Sequence, residues 1–203
     1  MRRLEQIPGF NQACRHASGV GGLLALGLVL SLAGCASDAP PRKKVDSEAQ
    51  DAAALQVQLG RGYMEQGDLE TAMERLQRAL QLDPRSVDAN TMLGALNERI
   101  RRPTKAEAHY RQAVRLAPDN GEVNNNLGAF LCGSGRYQEA DGYFLKALDD
   151  PFYRSVTAAM VNAGACALKA GDETKAEAYL RQVLEAQPSN VVALYELARM
   201  SYR

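Results

Sequence analysis

Apolar positions along residues 53–203 recur at spacings of three and four, and the whole arrangement repeats after 34 residues. Leu59, Gly60 and Tyr63 fall on one face of a first segment, and Ala72, Leu76 and Ala79 on one face of a second, which is the spacing of amphipathic helices. Gly67-Asp68 turns the chain between them, and Pro84, which cannot continue a helix, ends the unit. Gly60, Gly94 and Gly128 are spaced 34 apart, and Gly164 follows 36 later. Ala72, Ala106, Ala140 and Ala176 trail each glycine by twelve, and Pro84, Pro118 and Pro188 close three of the four units. The pattern predicts an all-α chain of antiparallel helix pairs, with glycine on helix A and alanine on helix B where the two axes approach.

This skeleton resembles the tetratricopeptide repeat (TPR): Leu59-Gly60-x-x-Tyr63, Ala72, Ala79 and Pro84 in the first unit, and the same phase in three more. The resemblance implies a TPR solenoid, a right-handed superhelix with repeats at 53–86, 87–120, 121–156 and 157–190 and a partial fifth at 191–203. Four stacked pairs share a core that a single pair cannot form. Two departures stand out. Gln56, Asn90, Asn124 and Met160 occupy the consensus tryptophan position, and Asp149–Arg154 makes a longer connection before the fourth unit. In the fifth, Val191, Val192, Leu194, Leu197 and Met200 spread over more than one face, so a polar outer cap is missing. That predicts a chain cut short of its natural end, with cover by a partner as the alternative.

Residues 1–34 read as an export signal rather than as fold. Arg2, Arg3 and Arg15 precede an apolar stretch from Gly19 to Ala33, and Leu32-Ala33-Gly34-Cys35 matches a bacterial lipobox, which makes Cys35 the acylated first residue of the mature protein. A transmembrane anchor and a plain secretory signal are the alternatives. Ala36 stands where inner-membrane retention typically wants Asp, so the expected location is the outer membrane, lipid-anchored on its periplasmic face. Residues 35–52, with Pro40, Pro41 and Arg42-Lys43-Lys44, read as the lipidated cysteine and a flexible tether spanning roughly 20–25 Å.

Charge and chemistry narrow the function. Removing the signal leaves 24 − 3 = 21 basic and 24 − 1 = 23 acidic residues, a net charge near −2 that points to no nucleic acid. No metal-ligand spacing, phosphate loop or catalytic triad is present, so no cofactor and no enzyme is expected. Glu107 reads as a solvated carboxylate, and Arg111 as facing solvent on a helix B. Cys132 and Cys166 lie 34 residues apart on neighbouring A helices; an oxidising periplasm allows a disulfide between them, with two buried thiols as the alternative.

Asn124-Asn125-Asn126-Leu127-Gly128-Ala129-Phe130-Leu131-Cys132, Gly135-Arg136-Tyr137-Gln138-Glu139-Ala140, Asp150-Pro151-Phe152-Tyr153 and Asn162-Ala163-Gly164-Ala165-Cys166 resemble the PilF/PilW family. These are outer-membrane TPR lipoproteins of type IV pilus biogenesis that act as pilotins. The resemblance implies a scaffold that binds the pilus secretin subunit and promotes its delivery and multimerisation. A TPR lipoprotein serving cell-wall synthesis or β-barrel assembly is the alternative. In a TPR-like unit the fifth position of helix A looks into the groove, here Asn125; the same mapping places Arg61, Met64, Asp88, Thr91, Glu98, Arg99, Glu122, Leu168 and Lys169 on the concave side.

Overall fold

The computed structural model describes residues 42–202; the signal at 1–34, Cys35 and the chain to Pro41 lie outside the described residues. Nine α-helices and no strand occur among those described: α1 (Arg42–Gln66), α2 (Leu69–Leu82), α3 (Val87–Arg99), α4 (Pro103–Leu116), α5 (Gly121–Gly133), α6 (Tyr137–Asp149), α7 (Val156–Ala170), α8 (Glu173–Ala186) and α9 (Val191–Ser201). None is long and apolar enough to cross a membrane. Successive helices pack as four antiparallel pairs, each B helix also touching the next A helix, so the chain is a solenoid of TPR helix pairs.

One part of the expected tether differs. Helix α1 begins at Arg42, ahead of residue 53, so the stretch to residue 52 is helical rather than flexible. Ser47-Glu48-Ala49-Gln50-Asp51-Ala52 holds good helix formers and no glycine, so the helix nucleated by Ala53 and Val57 in the core propagates backwards to Arg42.

The repeat skeleton acts through shape. Ala72, Ala106, Ala140 and Ala176 are wholly buried. Each repeat glycine faces a large B-helix side chain: a Cβ on Gly94 would lie 2.6 Å from Tyr110, and one on Gly128 would lie 2.9 Å from Phe144. The missing side chain on helix A thus houses the bulky residue on helix B, and the alanine seats the backbones beside it.

The A–B turns recur as one motif. Asp68 N donates to Tyr63 O, Arg102 N to Asn97 O, Arg136 N to Leu131 O and Asp172 N to Ala167 O, closing each A helix with a left-handed residue. That residue is Gly67, Gly135 or Gly171 in three turns and Arg101, at φ 57°, in the second. At the opposite ends, Ser86, Asn120 and Asn190 cap α3, α5 and α9 through side-chain oxygens. The extra length before the fourth unit folds back on the third: Asp150 Oδ2 accepts from Gly121 N at 2.7 Å, and the Tyr153 ring lies against Gly121. Helix α9 buries Ala193 against Leu180 and Val183 while Val191, Val192, Leu194 and Tyr195 stay exposed.

Candidate partner-binding groove

The A helices do not pack evenly. Helix α1 touches α3, and α5 touches α7, whereas α3 and α5 hardly meet. An open cavity of about 420 Å³ fills that seam, bordered by α1, α3 and α5. Arg61, Met64, Asp88, Thr91, Arg99 and Glu122 all line it, so six of the ten expected groove residues converge there. Arg99 Nη1 donates to Met64 O at 2.6 Å, which ties α3 to α1 and fixes one wall.

The other four lie elsewhere. Glu98 stands beside the cavity and accepts from the Tyr110 hydroxyl at 3.2 Å. Leu168 and Lys169 sit at the end of α7 and contribute nothing to its lining. Asn125 is buried, and its Oδ1 accepts from Asn162 Nδ2 at 3.1 Å, so it bridges α5 to α7. Its neighbour Asn126 lines the cavity instead. The reason is the uneven packing: α5 leans on α7, so the fifth position meets a helix and the sixth faces the open seam. Met92, at the sixth position of the second unit, lines the cavity in the same way.

Further lining residues escaped the positional mapping, Tyr110 and Glu65 among them. Tyr110 belongs to α4, yet its ring reaches the cavity floor because Gly94 has no Cβ to cover it. Burial, with Glu98 adding to it, pushes the Tyr110 hydroxyl pKa well above its ordinary value, so the group stays a neutral donor. Glu65 was missed because it follows Met64 on the last turn of helix A, one place beyond the mapped position. The pairing of a B-helix aromatic with an A-helix glycine was the available signal for Tyr110. The cavity therefore combines an apolar floor of Met64, Met92, Val123 and Tyr110 with charged walls of both signs, which suits an amphipathic segment of another chain.

Away from the cavity, Cys132 and Cys166 are joined by a disulfide with Cα atoms 5.8 Å apart, linking α5 to α7. Arg111 and Glu107 do not stand free in solvent. Arg111 Nη2 reaches Glu139 at 2.6 Å and its Nε reaches Glu107 at 2.9 Å, while Arg136 Nη1 meets Glu107 at 2.5 Å and its Nη2 also pairs with Glu139. The four charges join α4 to α6, because successive B helices lie close enough for long side chains to span them. Lys175 and Asp141 make the equivalent link from α8 to α6 at 2.5 Å. His109 Nδ1 lies 3.2 Å from Asn90 Oδ1, and burial lowers its pKa, which leaves it a neutral structural group.

A second cleft, of about 690 Å³, lies between α6 and the fourth pair. It exists because α7 presents Ala163, Cys166 and Ala167 where α5 presents Leu127, Phe130 and Leu131.

The sequence profile of the tetratricopeptide repeat matches residues 57–121, 131–191 and 167–203. The type IV pilus assembly protein PilF of Pseudomonas aeruginosa is 30% identical over 177 residues, which are 87% of this chain and 70% of that protein. A crystal structure of PilW, described as a widely conserved type IV pilus biogenesis factor, superposes with a TM-score of 0.70 at 38% identity, covering 72% of this chain and 67% of that one. The structure of P. aeruginosa PilF superposes with a TM-score of 0.71 at 32% identity, covering 77% and 69%. Repeat phase and these likenesses agree: the chain belongs to the PilF/PilW family of tetratricopeptide-repeat proteins.

Proposed function

We propose that this protein is a non-enzymatic scaffold of type IV pilus biogenesis, a pilotin whose groove holds a segment of the secretin subunit. The observation that carries the reading is the open seam between α3 and α5, in a chain 38% identical to PilW. A solenoid that only stacked its repeats would close this seam; here polar and apolar walls remain available to another chain. Acylation at Cys35 and delivery to the periplasmic face of the outer membrane complete the proposal. Tethering the bound subunits on one membrane raises their local concentration and favours their multimerisation.

The test belongs in the natural host with the full-length gene. Arg61→Glu combined with Asp88→Lys inverts two cavity walls and sets repulsive charges against a segment fitted to the native ones. Outer-membrane secretin multimers and twitching should fall roughly tenfold or more, as for a hot-spot loss. Arg78→Glu, on the exposed face of α2, is the matched control and should change neither. Cys35→Ser should leave an unprocessed precursor outside the outer-membrane fraction. Wild-type multimers in the cavity variant would defeat the secretin reading and leave a scaffold for cell-wall synthesis or β-barrel assembly as the next to test.

A further inference from the structure

Asp150-Pro151-Phe152-Tyr153 takes no part in the groove, yet three of its residues have work in the fold. Asp150 accepts from Gly121 N through Oδ2 at 2.7 Å and from Phe152 N through Oδ1 at 2.9 Å, capping α5 while shaping its own turn. Tyr153 N donates to Asp150 O at 3.2 Å, and the ring covers Gly121 so closely that a Cβ there would lie 2.5 Å from it. Pro151 fixes one backbone angle between them. Phe152 has no such task. Its side chain is 89% exposed, so it forgoes the burial free energy that a phenyl ring ordinarily gains.

The setting makes that exposure specific. A floppy connection could fold an aromatic ring back onto the protein, but this one is pinned at Asp150 and Tyr153, so the backbone that carries the ring is held in place. Binding through such a residue orders little that is not already ordered. The surroundings carry a sign. Asp119, Asp149 and Asp150 border a cleft of about 490 Å³ beside Phe152, and its one lysine, Lys146, lies 5.1 Å over the Tyr143 ring. None of these residues lines the groove between α3 and α5. Three carboxylates around an aromatic oppose docking on an anionic bilayer and suit a basic protein surface.

We propose that Phe152 is the anchor of a second interaction surface. It inserts into an apolar socket on a protein partner, and lysine or arginine side chains around that socket face Asp119, Asp149 and Asp150. The surface is separate from the groove, so two partners can be held at once, one on the A-helix side and one at this connection.

A photoreactive benzophenone side chain at position 146, in the lipidated full-length protein within its own envelope, tests this. The expected result is one discrete protein adduct whose cross-linked peptide holds apolar residues beside Lys or Arg. Phe152→Ser should cut its yield roughly tenfold, and Phe152→Leu by less. Asp119→Lys with Asp149→Lys should cut it as well, and the melting temperature of each variant should stay that of the parent. An adduct indifferent to Phe152→Ser, adducts to phospholipid alone, or a cross-linked peptide that is acidic or wholly polar would overturn the proposal. So would a Phe152→Ser protein that melts early, since the ring would then serve the fold. Pilus assembly plays no part in this readout, and Arg61→Glu with Asp88→Lys should leave the adduct intact. The secretin reading can therefore fail while this one stands, and the reverse.

Discussion

Single residues carry the repeat through backbone conformation as much as through packing. The four A–B turns share one hydrogen-bond pattern, and three place glycine at the left-handed position: Gly67, Gly135 and Gly171. In the second, Arg101 adopts φ 57° with its side chain exposed. A non-glycine residue there costs about 1–2 kcal/mol through its Cβ. Glycine would remove that strain, at the expense of about 0.5–1 kcal/mol of extra unfolded-state entropy. Arg101→Gly should therefore raise stability by about 0.5–1 kcal/mol, read as a higher urea midpoint at unchanged slope. Arg101→Val, β-branched and least tolerant of this conformation, should lower it. If the two variants shift the midpoint in the same direction, the turn is not what sets the energy at this site.

Between elements, stacking rests on contacts that no single repeat contains. Glu107, Arg111, Arg136 and Glu139 join α4 to α6. Arg136, then Arg111, holds the Glu107 carboxyl below its ordinary pKa, and Arg111, then Arg136, does the same for Glu139. A carboxylate whose folded pKa lies below its unfolded value adds stability that is fully present above the unfolded value, near about 4.3. That stability is lost as pH falls through the lower folded value. The parent should thus lose stability on acidification below about pH 4.5 more steeply than a Glu107→Gln, Glu139→Gln variant. Parallel profiles in urea titrations would mean the network is ornamental, as exposed pairs often are. The same geometry explains what the sequence did not disclose. Helix positions, glycine–aromatic seating and turn sites follow from local periodicity and were legible in it. Arg111 has a local partner in Glu107, four positions before it, but its link to Glu139, 28 positions away, was not legible. Asn125 was misplaced because helical phase fixes a side chain's direction but not which neighbour occupies it. The early start of α1 was hidden by a charged, proline-flanked stretch that resembles linker composition.

At the scale of the whole solenoid, α1 with α3 and α5 with α7 form two A-helix blocks, and the cavity opens at the seam between them. The Cys132–Cys166 bond clips the second block internally. Relative to their repeat glycines the two cysteines differ by two residues, Gly128 to Cys132 against Gly164 to Cys166. Two residues turn a helix by about 200°. Side chains of equal phase on neighbouring A helices would point the same way, whereas this offset turns the sulfurs towards each other between α5 and α7. The bond closes a loop with a separation of 34 residues, worth about 3–4 kcal/mol in the chain-entropy model. Because a solenoid's stability is a sum of repeats and nearest-neighbour interfaces, the loss in a Cys132→Ala, Cys166→Ala variant should be local. Hydrogen exchange should accelerate in α5–α9 while α1 and α2 keep their protection, and thermal unfolding should broaden or split. The cavity depends on α5 holding its place against α7, so the same variant should weaken groove binding although neither cysteine lines the cavity. Uniform acceleration along all nine helices would mean that the repeats unfold as one unit, and unchanged exchange throughout would mean that the clip adds nothing to packing already sufficient at that interface.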